Sequence, residues 1–415
     1  MYRVFLGDRF VGRIEPDRGR LAFTYAEAAV DDAGVPALSV RLPKRTEPYD
    51  DADARPFFEN LLPEEEFRRL IAAAVRTSPG NTAGLLGAIA GECAGAVSVW
   101  PEGRHPPRRA EYRELAPHDL RDLFHSPDDP RLVRAQRRGR LSLAGAQPKL
   151  TLRGDGDRWL LPLNGAPATH ILKRTRHGVP YLVENEFFAM RLAAAAGLLV
   201  PKVAHTDAGV PLLVVARFDR VATGSPAAAA GGVARRHQED FCQAAGVLPA
   251  AKYEAEGGPG IATCASLLRS HSAVPVADLR RLAEWVAFNF LLGNEDAHGK
   301  NLALLYGDDG VRLAPFYDLL STAVYRGLSR KAAMAIGGER RHRWVRRRHW
   351  ERCAADLGLP TRAALRTFRD VADRVAAELD AAREATAVAF GDVTLMEAVA
   401  ATVVSRLAQL RRETA

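Results

Sequence analysis

At 415 residues, 47% of them hydrophobic and 26% charged, the chain exceeds what one core usually supports and is too apolar for disorder, so two or three folded subdomains are expected. A net charge of +8 and a pI near 9.5, carried mostly by Arg, favour polyanionic or phosphate-bearing partners, although a codon bias that also enriches Ala, Gly, Pro and Asp gives the same excess. The cysteines Cys93, Cys242, Cys264 and Cys353 are scattered, without CxxC or His pairing, which argues against a zinc site or a disulfide framework and fits a reducing cytoplasm.

The chain opens on YRVFLGDRFVGRI and then LAFTY, with Gly7-Asp8 as turn chemistry, and this predicts a small antiparallel β unit. No basic segment followed by an apolar one precedes it, so no secretory signal is expected. No apolar run approaches the roughly 18 residues that a membrane helix needs, so no membrane association is expected either. In FFENLLPEEEFRRLIAAAV, Phe57 to Val75, the spacing of Phe67, Leu70, Ile71, Ala74 and Val75 is helical, with Pro63 near the start and acidic residues in the first turn. Pro106-Pro107 and the polar stretch to about Arg140 read as a separator.

The middle segment carries LSLAGAQPKLTL, WLLPL, THILK, a helix from Glu184 to Ala196 stopped by Gly197, then VPKVAHTD and VPLLVVARFDR, in the order strand, strand, strand, helix, strand, strand. The low-complexity stretch Ala222 to Ala234 is expected to be a mobile loop. Beyond it the pattern is mainly helical to the C-terminus, with one β-like pair around Leu302 to Phe316. The resulting expectation is three segments: 1–105, β-rich with a helix; 106–221, a β-rich layer with one helix; and 222–415, mainly helical.

The densest chemistry lies in LLGNEDAHGKNLALLY, Leu291 to Tyr306. Leu279, Leu282, Trp285, Val286 and Leu292 form an apolar helical face, Gly293 is a helix stop, and the polar cluster follows in the loop, where a rigid scaffold can hold it. LALLY, the turn GDDG and VRLAPF read as a hairpin, which brings Asp318 back beside Asp296 and Asn301. Two Asp and one Asn form a hard-oxygen set suited to Mg²⁺ carrying substrate phosphates. The spacing Asp296 to Asn301 matches the D-x-x-x-x-N of kinase catalytic loops, with Asp296 as base, Asn301 on the metal and Asp318 as the second metal-binding Asp. Asp and Asn also cap turns, and that plain reading weighs most when the spacing stands without its flanking helix and hairpin. His298 and Lys300 either neutralise phosphate or orient the loop.

A phosphotransferase also needs a strand lysine. Lys173 ends THILK, and Glu184 or Glu186 in the following helix could pair with it. Ser142, Gly145, Gln147 and Lys149 sit in a tight turn between β-like runs that lacks the G-x-x-x-x-G-K-[ST] spacing.

FFENLLPE, SLAGAQPKL, THILK, ENEF, RFDR, HQEDFCQ, KYEAEGGPGIA, GNEDAHGKN and APFYD, in that order, resemble the HipA-type serine/threonine kinases, toxins of toxin–antitoxin systems. The resemblance spans nearly the whole chain. It implies an α+β, bilobal, protein-kinase-like fold with a β-rich N-terminal subdomain and a mainly helical C-terminal lobe. It further implies ATP and Mg²⁺ as cofactors, with Lys173 on the ATP phosphates and Asp296, Asn301 and Asp318 in the roles above. The loop of Ser142, Ala144, Gly145, Ala146, Gln147 and Lys149 would close over ATP. Backbone groups near Arg217 and Phe218 would meet adenine and ribose, with Asp219 polar toward the nucleotide. Ser142 falls where the family has its autophosphorylated serine; a phosphate there would be repelled by ATP and expel the loop. Ala216 departs from the Glu common at that hinge position, which puts nucleotide affinity in doubt, and Pro148 stiffens the loop.

The implied partners are a small helix-turn-helix antitoxin of the HipB type, operator DNA reached through it, and a protein substrate such as an aminoacyl-tRNA synthetase. Two alternatives keep the fold: a kinase of small molecules, or a catalytically silent co-repressor, against which the retention of Lys173, Asp296, Asn301 and Asp318 argues. ERRHRWVRRRHWER, Glu339 to Arg352, is the strongest basic run, either a DNA or tRNA surface or a solvated helix face with Trp344 or Trp350 turned inward. The second reading is favoured.

Overall fold

The computed structural model describes residues 1–125, 130–145, 147–223, 232–391 and 394–415. The chain divides into two compact units, Met1–Arg174 with Asp207–Ala250 and Leu305–Asp308, and Thr175–Thr206 with Ala251–Leu304 and Asp309–Ala415. Among the described residues no helix is long and apolar enough to cross a membrane.

In the first unit the opening hairpin forms as its pattern predicts. Strands Tyr2–Leu6 and Arg9–Asp17 pair antiparallel around Gly7, whose φ of +63° is readily adopted only without a side chain. Arg20–Tyr25 adds to the second strand and Val97–Pro101 to the first. Alternation turns Ile14, Leu21, Phe23 and Tyr25 inward, where Phe57 and Phe58 of helix Asp51–Glu59 and Leu85, Leu86 and Ile89 of helix Thr82–Ile89 complete a core. The helix expected within Phe57 to Val75 starts at Glu65, past Pro63, and Phe57-Phe58 belong to the separate preceding helix.

A second sheet in the same unit has its own core. Its strands Glu111–Leu115, Arg158–Leu163, Lys149–Asp155, His170–Arg174 and Pro211–Ala216 follow one another as antiparallel neighbours. Leu150, Leu152, Leu161, Leu172 and Leu212 pack with Leu120, Leu123, Phe124 and Leu132. The described part of the expected polar separator, Pro106-Pro107 to about Arg140, supplies the edge strand and the helices Pro117–Leu123 and Pro130–Gly139. Of the low-complexity stretch Ala222 to Ala234, the ends pair as strands Arg220–Ala222 and Val233–Arg235, and 224–231 lie outside the described residues.

The second unit is mainly helical. Thr361–Phe390 packs on Leu182–Ala195, Pro275–Leu292 and Thr394–Thr414. Leu182–Ala195, expected with the middle segment, thus belongs by its packing to this helical unit. Helix Arg347–Asp356 carries part of the basic run; Trp350 is fully buried between Phe290 and Phe368, at ring distances of 5.0 and 4.7 Å. Trp344 stays 43% exposed, with the guanidinium groups of Arg341 and Arg343 over its ring. That is the inward-tryptophan helix face, on Trp350.

Candidate active site

Helix Pro275–Leu292 ends at Gly293, which adopts φ +67°. Any Cβ there would lie 2.9 Å from the Ala323 side chain, so both conformation and space require glycine. At the other end of the helix, fully buried Asp278 accepts the Leu313 amide (2.9 Å) and pairs with Arg312. Arg281, one turn on, donates to the Ala314 carbonyl (2.8 Å). Burial alone would raise the Asp278 pKa, but the Arg312, Leu313 and Ser272 donors hold it below the usual range. The helix thereby latches the returning strand of the hairpin Ala303–Gly307 and Gly310–Leu313, and the Ala314 amide closes on the Ala303 carbonyl (2.9 Å).

The loop between helix and hairpin is fixed by its own polar groups. Asn294 donates to Asn289 (2.7 Å) and accepts the Asp296 amide (3.1 Å). The Asn301 amide donates to the His298 carbonyl (2.9 Å), and the His298 amide donates to Asn301 Oδ1 (3.0 Å), closing a tight turn. Asn301 Nδ2 then donates to Asp318 Oδ2 (2.9 Å). The hairpin has brought together two residues 17 apart in sequence, as its topology predicts.

Asp318 holds φ +60°, uncommon for a residue with a side chain and least unfavourable for Asn and Asp. The chain on either side of it is pinned: Tyr317 donates to the Lys300 carbonyl (2.7 Å), Ser321 exchanges two 2.8 Å bonds with Asn185, and Thr322 accepts the Glu295 amide (2.7 Å). Burial raises the Glu295 carboxyl, a rise that Arg330 and Arg406 oppose. Among Leu291 to Lys300 only Asp296 is exposed, and its Oδ1 accepts the Tyr253 hydroxyl (2.8 Å). The Tyr253 ring lies edge-on to buried His298, 5.6 Å away. Lys300 is buried in the same turn.

The remaining expected residues lie in the first unit. Lys149 and Lys173 face each other as cross-strand partners, and Lys173 is only 8% exposed. Lys149 Nζ donates to the Ala144 carbonyl (2.9 Å), and Gln147 Nε2 to the Arg174 carbonyl (2.9 Å). Gly145 has φ +102°, and a Cβ on it would sit 2.6 Å from Lys149 Nζ. Ala146 lies outside the described residues. Ser142 is fully buried, its hydroxyl donating to the Leu61 carbonyl (2.6 Å).

At the RFDR segment the structure corrects one expectation. The Asp219 carboxylate, 2% exposed, is not turned to an open site: it takes Arg217 (2.7 and 2.9 Å), Arg220 (2.9 Å) and the Gly95 amide (2.7 Å). Buried Glu92 bonds the same two arginines and Arg235. Although burial opposes it, these guanidinium groups hold both carboxyls below their ordinary values. Arg217 and Asp219 therefore fix the segment through their side chains, the Arg217 amide donates to Thr169 (2.9 Å), and Phe218 is half-buried. No sequence pattern assigns a role to Tyr253, Asn185 or Glu92, although the first two lie within the strings KYEAEGGPGIA and ENEF.

Comparison with known proteins identifies the family. Residues 2–100 match the HipA N-terminal domain and 141–379 the HipA-like C-terminal domain. A putative kinase, Y4mE, of Sinorhizobium fredii is 45% identical over 342 residues, 80% of each chain. The serine/threonine-protein kinase toxin HipA of Shewanella oneidensis is 35% identical over 297 residues, 68% of this chain and 66% of that one. The whole chain also superposes on 96% of a chain in the S. oneidensis complex of HipA, HipB and operator DNA, with a TM-score of 0.81 and 28% identity. The chain belongs to the HipA family of serine/threonine-protein kinases.

Proposed function

We propose that the chain is a Mg-ATP-dependent protein kinase acting as the toxin of a HipA/HipB-type system in the cytoplasm. A small helix-turn-helix antitoxin restrains it and brings it to operator DNA. Its substrate class is a translation protein such as an aminoacyl-tRNA synthetase. One observation carries the reading: the 2.9 Å contact of Asn301 with Asp318, five residues beyond an exposed Asp296 on the same braced loop.

Asp296 acts as the base that receives the substrate hydroxyl proton, with Tyr253 fixing the unreactive oxygen. Asp318 and Asn301 fit Mg²⁺ in chemistry, since this ion takes one or two carboxylate or amide oxygens and completes its shell with water and phosphate. Asn301 Oδ1 accepts the His298 amide, and its second lone pair is the one that would meet the ion. When bound, the ion supplies charge neutralisation on the phosphates. Lys149 and Lys173, cross-strand neighbours, are proposed to contact ATP phosphates.

Ser142 is proposed as the autophosphorylation site. Its burial requires the loop to leave the Leu61 carbonyl before the hydroxyl can react. Purified protein with Mg-ATP is expected to label Ser142, and Asp296→Ala to lower labelling by about 10²-fold or more with unchanged folding. Undiminished labelling in that variant would remove Asp296 from the role of base.

A further inference from the structure

The first unit contains a second concentration of positive charge that shares no residue with the proposed kinase site. A cleft of about 800 Å³ is lined by Arg76, Arg104, Arg113, Arg137, Arg138 and Arg140, and by no carboxylate. The arginines arrive from separate elements. Arg76 follows helix Glu65–Ala74, Arg104 follows strand Val97–Pro101, Arg113 lies on the edge strand, and Arg137 and Arg138 close helix Pro130–Gly139. Five of the six are exposed.

Arg140 is different. It is 9% exposed, at φ +53°, and its charge meets only carbonyls: Gly87 (3.0 Å), Ala88 (3.3 Å) and Val99 (2.8 Å), with the Trp100 ring 4.2 Å below. Its buried Nε has no hydrogen-bond partner. Burial, with Arg104 adding to it, pulls the guanidinium down to about 10. A buried cation without a carboxylate, under a rim of five further cations, is unfavourable unless something negative completes it. Arg113 alone of the rim has an acidic partner, Asp119 at 3.6 Å.

We propose that this cleft binds a compact polyphosphate, a ligand with two or more adjacent phosphoryl groups. Guanidinium forks match phosphate oxygens two at a time, and six of them exceed what a single phosphate can occupy. Shape decides between this ligand and a nucleic acid. The arginines converge on one concavity whose volume falls in the range of small-molecule sites, whereas a nucleic-acid footprint is a stripe along a face.

Titration calorimetry of the full chain with inorganic tripolyphosphate in EDTA tests the proposal. A Lys173→Ala background removes the contribution of the proposed kinase site. In that background Arg76→Glu with Arg138→Glu is expected to weaken tripolyphosphate at least tenfold, and orthophosphate is expected to bind far more weakly than tripolyphosphate. The same double substitution in the wild-type chain should leave circular dichroism and Ser142 labelling unchanged, which separates lost binding from lost folding. Unaltered tripolyphosphate affinity in the double variant, or no binding at millimolar concentration, overturns the site. A 20-nucleotide single strand that binds tenfold tighter than tripolyphosphate, and is lost in the double variant, overturns the compact ligand in favour of nucleic acid.

Discussion

At the scale of single residues, the polar loop shows what spacing reveals and what it hides. Asp296 and Asn301 are near neighbours in sequence, so the D-x-x-x-x-N spacing after a helix stop is legible, and the roles proposed for them rest on it. Tyr253, which orients Asp296, stands 43 residues earlier, and no periodicity links the two. Its hydroxyl makes a charge-assisted bond, so Tyr253→Phe is expected to reduce the turnover number about tenfold while leaving KM for ATP unchanged, measured by steady-state kinetics. Asp219 shows the opposite error. Its residue type in a hinge-like segment suggests a ligand contact, yet Arg217 takes Oδ1, and Arg217, Arg220 and the Gly95 amide crowd Oδ2.

At the scale of elements, alternation and helical spacing identify most strands and helices, because each buries one face. The edge strand Glu111–Leu115 and helix Pro130–Gly139 escape this reading: one has a single buried position, and the other is dominated by arginine. Strand Gln238–Asp240 raises a question of pH. Glu239 is buried among Ser39, Val40 and Tyr306 donors and is pushed up to about 7, while His237 beside it, bonded to the Leu38 carbonyl, is pushed down to about 4, both by desolvation. For Glu239 the folded state holds the proton more tightly, so stability declines as pH rises from about 4.5 to 7. For His237 the unfolded state binds the proton more tightly, so stability declines as pH falls from about 6.5 to 4. Each is worth about 3 kcal/mol, and the two oppose one another between roughly pH 4.5 and 6.5. Urea midpoints across this range should show Glu239→Gln losing stability toward acid and His237→Gln losing it toward neutral pH; equal slopes in both would refute the assignment.

At the scale of the whole molecule, ligand binding tests the proposed chemistry as one system. Mg-ATP at about 100 times its dissociation constant stabilises a folded state by about 2.7 kcal/mol, so the thermal transition should rise, and Asp318→Ala should lose most of that rise. A rise of the same size in the variant would separate Asp318 from the nucleotide. The family, the α+β class and the D-x-x-x-x-N spacing follow from sequence alone, because they rest on local patterns: alternation, helical spacing, a glycine stop, and chemically unusual strings in a set order. Tertiary structure alone decided which distant groups meet. The latch of Asp278 on Leu313, the closing of Glu92 and Gly95 on the Arg217, Asp219 and Arg220 cluster, and the convergence of six arginines on one cleft depend on partners tens of residues apart. Their pairing is selected by burial and charge compensation in the folded chain, and no local pattern records it.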